Sequence, residues 1–189
     1  MGKESLMKMT DKYMFNKSYP FDLEKYDSVI PYKELNQVDL AMTGFGYGKT
    51  QATPLHMAMV ASTIANDGIM MQPKLVKSIT DKEERNIYKA KDEKLSIVTS
   101  KTNANNIRDM MVDVVNEGTG KAAYISGIQV AGKTGTTDKS NGSIDAWFVG
   151  FAPAYDPQIA VAIVVEDAAD TGGVTVAPIA RNLLVDIFN

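Results

Sequence analysis

The chain has 189 residues, of which 44% are hydrophobic and 23% charged, as in one ordinary globular domain or most of one. Its net charge of −3 gives no electrostatic basis for nucleic-acid binding. It contains no cysteine, which excludes disulfides and thiolate metal sites.

The first third of the chain alternates helical patterns with loop-rich sequence. Apolar residues spaced by three and four predict an amphipathic helix over residues 3–14, and residues 15–50 read as loops broken by prolines. Thr53 followed by Pro54 predicts a helix start. The threonine side chain can accept a hydrogen bond from a free N–H of the first turn, and proline fits the first helical position, where no backbone N–H is required. We expect that helix to stop at Asn66-Asp67-Gly68.

The middle of the chain predicts an exposed hairpin and then a helix. Residues 74–79 alternate like a half-exposed strand, and a polar turn leads to a return strand at Ile87. The charges of this region indicate a solvated surface rather than a binding patch. Ser100 or Thr102 is expected to cap the helix, and its predicted apolar face comprises Ile107, Met110, Met111, Val114 and Val115.

The last third predicts a small sheet and a closing helix. Strands are expected over about 128–137, 144–152 and 158–166, joined by short connections as an antiparallel meander covered by helices. The fold class is therefore α/β, in the sense of α+β. Gly172-Gly173 is predicted to be a turn before a helix over about 175–188, whose inward residues would be Val176, Ile179, Ala180, Leu183, Leu184 and Ile187.

The sequence Gly132-Lys133-Thr134-Gly135-Thr136 is the strongest candidate for a functional site. It lies in the first predicted strand of the meander. An ammonium and a hydroxyl on a strand attract a carboxylate, and a glycine lets a substrate backbone lie against the strand. This segment therefore predicts a site for a substrate with a carboxylate and a peptide backbone.

The same segment also matches a phosphate-binding loop in form only. Residues 127–134 fit the pattern G-x-x-x-x-G-K-[ST], but that loop needs a helix directly after it so that helix N–H groups face phosphate. Here the residues between Gly127 and Gly132 have the pattern of a strand, and the residues after Thr134 have that of a turn rather than a helix. We therefore rank nucleotide binding well below the strand interpretation.

Two further candidates are weaker. Ser5 and Lys8 match the S-x-x-K pair of acyl-transfer enzymes, yet their helix starts in a solvent-like sequence, so we interpret them as surface residues. His56 is the single histidine and lies on an apolar helix, where a packing role is more common than that of a base or ligand. No residue pattern predicts a metal or another cofactor.

Four segments, in order, resemble the C-terminal part of the transpeptidase domain of penicillin-binding proteins of the class B type. They cover nearly the whole chain and comprise residues 44–68, residues 117–123, residues 130–153, and Gly172-Gly173 with residues 177–181. Tyr47 and His56 depart from the glutamine that the family often has at these positions. The resemblance implies a β-lactamase/transpeptidase-like fold with the Lys-Thr-Gly strand at one edge of its antiparallel sheet.

The resemblance also implies that part of the active site lies outside these residues. The family combines a serine–lysine pair, a Ser-x-Asn and the Lys-Thr-Gly, and Ser-x-Asn occurs nowhere in this chain. Ser5 precedes Lys133 by only 128 positions, closer than the family places its nucleophile, so its match is a coincidence. We expect residues 1–189 to be the C-terminal part of the domain, with the nucleophile encoded upstream.

The implied activity is peptidoglycan D,D-transpeptidation by serine acyl transfer on D-Ala-D-Ala stem peptides, with β-lactams as mimics. Lys133 would supply positive potential, the hydroxyls of Thr134 and Thr136 would bind the substrate carboxylate, Gly135 would permit close approach, and the Thr136 N–H would be one oxyanion donor. A non-catalytic module that binds peptidoglycan or a partner is the alternative.

Three expectations follow for the protein and its surroundings. The parent protein would be membrane-anchored and act at the extracytoplasmic face of the bacterial cell membrane. The isolated chain would not react with penicillin. It would also associate with itself through the uncovered 158–166 strand, because an unpaired strand edge is a template for pairing.

Overall fold

A computed structural model describes residues 2–139 and 142–188. In chain order, the described residues form α1 (Lys3–Lys12), α2 (Gln37–Thr43), α3 (Pro54–Ala65), β1 (Ile69–Met71), β2 (Ser78–Thr80), β3 (Asn86–Lys89), β4 (Lys94–Ile97), α4 (Lys101–Asn116), β5 (Ala131–Asp138), β6 (Ile144–Ala152), β7 (Ile159–Ala168), α5 (Gly172–Thr175) and α6 (Ala177–Phe188). Within these residues, no helix is long and apolar enough to cross a membrane.

The main sheet is the predicted antiparallel meander. Its strand order is β5–β6–β7, and short connections join neighbours, as antiparallel pairing allows. Lys133 pairs with Val149, and Trp147 pairs with Gly135 on one side and Val164 on the other. Among the described strands, β5 and β7 are therefore the two edges, which confirms the predicted edge position of the Lys-Thr-Gly strand.

Helices cover both faces of this sheet, as predicted for an α+β fold. On one face, α6 packs against the fully buried Phe148 through residues such as Leu184. On the other face, Ile64 of α3 and Val112 of α4 pack against Phe151. Each face buries alternate residues of the strands because side chains of a strand point to opposite faces in turn.

The predicted apolar faces of α4 and α6 are only partly correct. In α6 the buried residues are Ala177, Ala180 and Leu184, at intervals of three and four, and Val176 just before the helix is buried as well, whereas Ile179, Leu183 and Ile187 are exposed. Only a narrow stripe of the helix packs against the sheet, and the residues beside that stripe are exposed to solvent. In α4, likewise, Met110 is exposed and Val112 is buried in its place.

The predicted helix ends are confirmed. The Thr53 hydroxyl accepts a hydrogen bond from the His56 N–H at the start of α3. After α3 the chain reverses at Gly68, whose φ of +85° suits glycine. Of the two candidate caps for α4, the structure uses Ser100, whose hydroxyl accepts from the Asn103 N–H.

Four short elements are absent from the sequence prediction. Helix α2 lies within the expected loop region and is held by a capping box between Asn36 and Asp39. Strands β1 and β4 pair at Ile69 and Ile97, residues to which no strand was assigned. Gly172-Gly173 opens the helical turn α5 instead of forming a simple turn. The β2–β3 hairpin is solvated, as predicted, but its first strand begins at Ser78 rather than at Lys74 and is fully exposed rather than half-exposed.

Candidate functional site

The free edge of β5 presents the backbone of Thr134 and Thr136. Beyond the end of this strand, the Lys139 N–H donates to the Ser143 carbonyl at 2.8 Å, so the odd-numbered residues turn their backbone groups toward β6. Gly135 is one of these and lies opposite Trp147. Because backbone groups alternate along an antiparallel strand, the N–H and C=O groups of Thr134 and Thr136 point away from the sheet.

The side chains of Thr134 and Thr136 line a cleft of about 470 Å³. The other lining residues come from the loop after α4, from the chain before α5 and from α5 itself, and they are Thr119, Lys121, Ala122, Thr171, Gly173 and Val174. Four threonines and one lysine thus line a single cavity. Such a set of donors suits an anionic oxygen ligand such as a carboxylate.

Lys133 and Gly135 lie on the opposite face of β5 and do not line this cleft. Lys133 is exposed, and its Nζ donates a 2.5 Å hydrogen bond to the Thr134 carbonyl at the free edge of the strand. A Cβ on Gly135 would lie 3.2 Å from the Trp147 Cβ, so this position is tight for any larger residue. The structure therefore brings Thr134 and Thr136 together in the cleft and leaves the Lys133 ammonium at the strand edge beside it.

Two contacts hold the hydroxyls of these threonines. The Thr119 and Thr134 hydroxyl oxygens lie 2.6 Å apart, and the Gly172 N–H donates to the Thr136 hydroxyl at 3.3 Å. Sequence reasoning missed Thr119 and Thr171 as site residues. The segment around Thr119 was used only as a helix end and for the resemblance, although a threonine between two glycines at a helix terminus is a usable signal for a site.

The α5 turn reaches this position because its glycines have no side chains. A Cβ on Gly172 would lie 2.4 Å from the carbonyl oxygens of Gly135 and Trp147, and one on Gly173 would lie 2.4 Å from the Thr119 carbonyl oxygen. Any other residue would separate α5 from β5 and from the loop that carries Thr119.

Other residues singled out from the sequence lie elsewhere. Ser5 and Lys8 are exposed on α1, which confirms their interpretation as surface residues. Lys133 lies inside β5 rather than before a helix, so the phosphate-loop alternative is wrong. Among the described residues, no serine lines the cleft, and Ser140 lies outside them.

His56 packs in the interior, as predicted, and is only 1% exposed. Its Nε2 lies 2.6 Å from the Tyr13 carbonyl oxygen, and its ring contacts those of Phe15 and Tyr19. Burial lowers the pKa of His56, and the Tyr13 hydrogen bond opposes this shift only in part. His56 therefore joins the chain after α1 to α3 and is remote from the cleft residues.

Polar contacts fix the far end of β5. The Tyr47 hydroxyl donates to the Asp138 carboxylate at 2.9 Å, and this bond raises the pKa of Tyr47. Lys139 forms ion pairs with Asp145 at 2.7 Å and with Asp167 at 3.1 Å, which raise the pKa of Lys139. These contacts tie the end of the strand to the 44–48 loop and to β6 and β7.

Comparison with known proteins gives one consistent result. Residues 1–185 match the family model of the penicillin binding protein transpeptidase domain. The chain is 41% identical over 150 residues to the peptidoglycan D,D-transpeptidase PbpA of Mycolicibacterium smegmatis, which covers 75% of this chain. It is 34% identical over 203 residues to stage V sporulation protein D of Bacillus subtilis, which covers 98% of it. The chain spans only 30% of the length of each of these relatives.

Solved structures agree with the sequence comparison. The D,D-transpeptidase domain of a peptidoglycan glycosyltransferase from Eggerthella lenta superposes with a TM-score of 0.90 at 39% identity, covering all of this chain and 48% of its own. The imipenem acyl-enzyme complex of penicillin-binding protein A from M. tuberculosis gives a TM-score of 0.89 at 32% identity, with coverages of 98% and 42%.

Proposed function

The chain belongs to the family of penicillin-binding protein transpeptidase domains, and from this membership we propose that it forms the Lys-Thr-Gly side of the active site of a peptidoglycan D,D-transpeptidase. The observation that carries the proposal is the free edge of β5, where outward backbone groups adjoin a hydroxyl-lined cleft. The alternative of a non-catalytic binding module finds no support among these relatives, since one neighbour is an acyl-enzyme complex.

The proposed reaction is acyl transfer between stem peptides. A serine oxygen attacks the carbonyl carbon of the D-Ala-D-Ala peptide bond, the C–N bond breaks, and the serine proton passes to the departing D-alanine. An amine of a stem peptide on a neighbouring peptidoglycan strand then attacks the acyl-enzyme, forms a new amide and returns a proton to the serine. A β-lactam enters the first step with its ring amide, and its leaving nitrogen stays attached to the acyl group.

The residues of β5 would serve this reaction through different atoms. The outward N–H of Thr136 lies on the free edge, where it would donate to the oxygen that becomes negative in the tetrahedral intermediate. The hydroxyls of Thr134 and Thr136 would bind the terminal carboxylate in the cleft. The exposed ammonium of Lys133 would provide positive potential beside both groups.

We propose that residues 1–189 are the C-terminal part of the catalytic domain and that the nucleophilic serine lies outside this chain. Two facts support this: no described serine lines the cleft, and the curated relatives are more than three times as long as their match to this chain. The complete protein would be anchored to the cytoplasmic membrane and act at its outer face. There it would bind peptidoglycan stem peptides and β-lactams.

Incubation with a fluorescent penicillin followed by intact-mass measurement tests the proposal. We expect no adduct on the 189-residue chain and one adduct per molecule on the complete protein, because covalent reaction requires the serine. A stoichiometric adduct on the isolated chain would contradict the proposed location of the nucleophile. A complete protein that never reacts would contradict the proposed activity.

Substitution of Lys133 tests the role of this strand edge. In the complete protein, we expect Lys133→Ala to lower the second-order rate of penicillin acylation on the order of 100-fold, as for loss of a preorganised electrostatic group. Lys82→Ala, which removes an exposed lysine in the turn between β2 and β3, is the matched control and should leave the rate unchanged. An equal effect of both substitutions would show that only net charge matters.

A further inference from the structure

Thr119 contacts the proposed carboxylate site without belonging to the Lys-Thr-Gly segment. Its hydroxyl oxygen lies 2.6 Å from that of Thr134, which is within hydrogen-bond distance for two hydroxyls. Thr134 is only 8% exposed. Both residues line the same cleft.

The proton count of this hydroxyl pair limits what it can do. Two hydroxyls carry two protons, one of which lies in the bond between them, so a single proton remains to donate to a ligand. When Thr119 donates to Thr134, the remaining proton belongs to Thr134 and can point into the cleft. A carboxylate accepts hydrogen bonds and donates none, so its presence selects this direction.

The Thr136 hydroxyl accepts a hydrogen bond as well, in this case from a backbone N–H. The Thr136 hydroxyl accepts a hydrogen bond from the Gly172 N–H at 3.3 Å, which leaves its own proton free. Thr136 is exposed, so that proton can be directed into the cleft. When Thr119 donates to Thr134, each hydroxyl of the Lys-Thr-Gly-Thr segment accepts a hydrogen bond from the protein and can donate its own proton to a ligand in the cleft.

We infer that Thr119 is a positioning residue for substrate binding: its hydroxyl donates to Thr134 and turns the Thr134 hydroxyl into a donor to the terminal carboxylate of a stem peptide or β-lactam. The inference rests on the proposed function. Thr119 acts through Thr134 and takes no part in bond making or breaking. Its loss affects ligands with a free carboxylate and spares ligands in which that group is an uncharged ester.

The test compares benzylpenicillin with its methyl ester on the complete protein. Thr119→Val keeps the shape of the side chain and removes the hydroxyl, and we expect about a tenfold lower acylation rate with the acid, as for one charge-assisted hydrogen bond. The rate with the ester should change less than about twofold, since an ester offers no charged acceptor. Thr119→Ser retains the hydroxyl and should restore the rate with the acid.

Thr80→Val is the matched control, because Thr80 is exposed in β2 of the hairpin. It should change neither rate, and thermal unfolding should show that all variants are folded. An unchanged rate of Thr119→Val with the acid, or an equal loss with acid and ester, would overturn the inference while leaving the proposed function intact. A wild-type protein that reacts with neither compound would overturn the proposed function, and the inference with it.

Discussion

His56 shows how one buried residue couples packing to pH. Its Nε2 donates to the Tyr13 carbonyl oxygen, since a carbonyl can only accept, and its Nδ1 is buried without a hydrogen-bond partner among the described residues. Protonation at Nδ1 would place a charge where no acceptor meets it. The charge of Lys25 lowers the pKa of His56 and that of Asp27 raises it, and the lowering by burial exceeds both effects.

We therefore expect the free energy of unfolding to fall as the pH drops below about 6.5, the ordinary pKa of histidine. The folded state has the lower pKa, so below that pH the unfolded chain binds the proton first and gains stability by at most about 1.4 kcal/mol per pH unit. Urea denaturation between pH 7.5 and about pH 5 measures this slope.

His56→Gln is the matched variant for this measurement. Its neutral amide can still donate to the Tyr13 carbonyl, so the variant should lack the slope even if its overall stability is lower. The carboxylates with lowered pKa, such as Asp39 and Asp167, lose their contribution only at more acidic pH. The same slope in both proteins would show that another group controls this window.

At the level of elements, three segments that are far apart in the sequence meet at the cleft. They are the loop after α4, strand β5, and the turn α5, which carry Thr119, Thr134 and Gly172 respectively. The glycine pair of α5 makes the meeting possible, since a Cβ on either residue would lie 2.4 Å from a carbonyl oxygen. The cleft is therefore a product of close backbone approach.

Replacing Gly173 by alanine should disturb this meeting. The new Cβ would lie 2.4 Å from the Thr119 carbonyl oxygen, so we expect a loss of about 1–3 kcal/mol in the free energy of unfolding, as for overpacking. The helix preference of alanine over glycine offsets at most about 1 kcal/mol of this. Urea denaturation measures the change.

Gly2→Ala is the control for the Gly173 substitution, because no atom lies within 4 Å of the added Cβ at position 2. Gly2 is the N-cap of α1, where glycine is preferred over alanine, so this variant should cost less than about 1 kcal/mol. If Gly173→Ala were as stable as the wild type, the α5 turn would be free to move away from Thr119, and the close packing would not be needed for the fold.

The sequence predicts some of these elements well and others poorly, for identifiable reasons. The strands β5, β6 and β7 and the helices α3 and α4 have long apolar periods or clear caps, so local sequence predicts them. Strand β1 and turn α5 are three and four residues long and depend on contacts with segments elsewhere in the chain. Helix α2 carries a local signal, the capping box of Asn36 and Asp39, which sequence reasoning missed. The Lys-Thr-Gly segment is a local motif and could be found in the sequence, whereas its contact with Thr119 arises only when the chain folds.

At the scale of the whole molecule, helices α3 and α4 cover their face of the main sheet only in part. Trp147, Val149 and Val164 lie on the face that carries α3 and α4 and are only half-buried. Strand β7 is the edge beside them and pairs only with β6 among the described strands. The solved neighbours are about twice as long as their match to this chain, and under the proposal made above the further chain would cover this surface.

The isolated chain should therefore associate with itself through the β7 edge, because an unpaired apolar strand is a template for pairing with another copy. Val164→Lys places a charge on this half-buried face of the edge strand and should shift the chain toward monomer. Ile79→Lys adds the same charge in the exposed β2–β3 hairpin and should leave the association unchanged. Sedimentation velocity over a concentration series distinguishes these cases. A wild-type chain that remains monomeric at the highest concentration, or one that both lysines affect equally, would contradict the assignment of association to this edge.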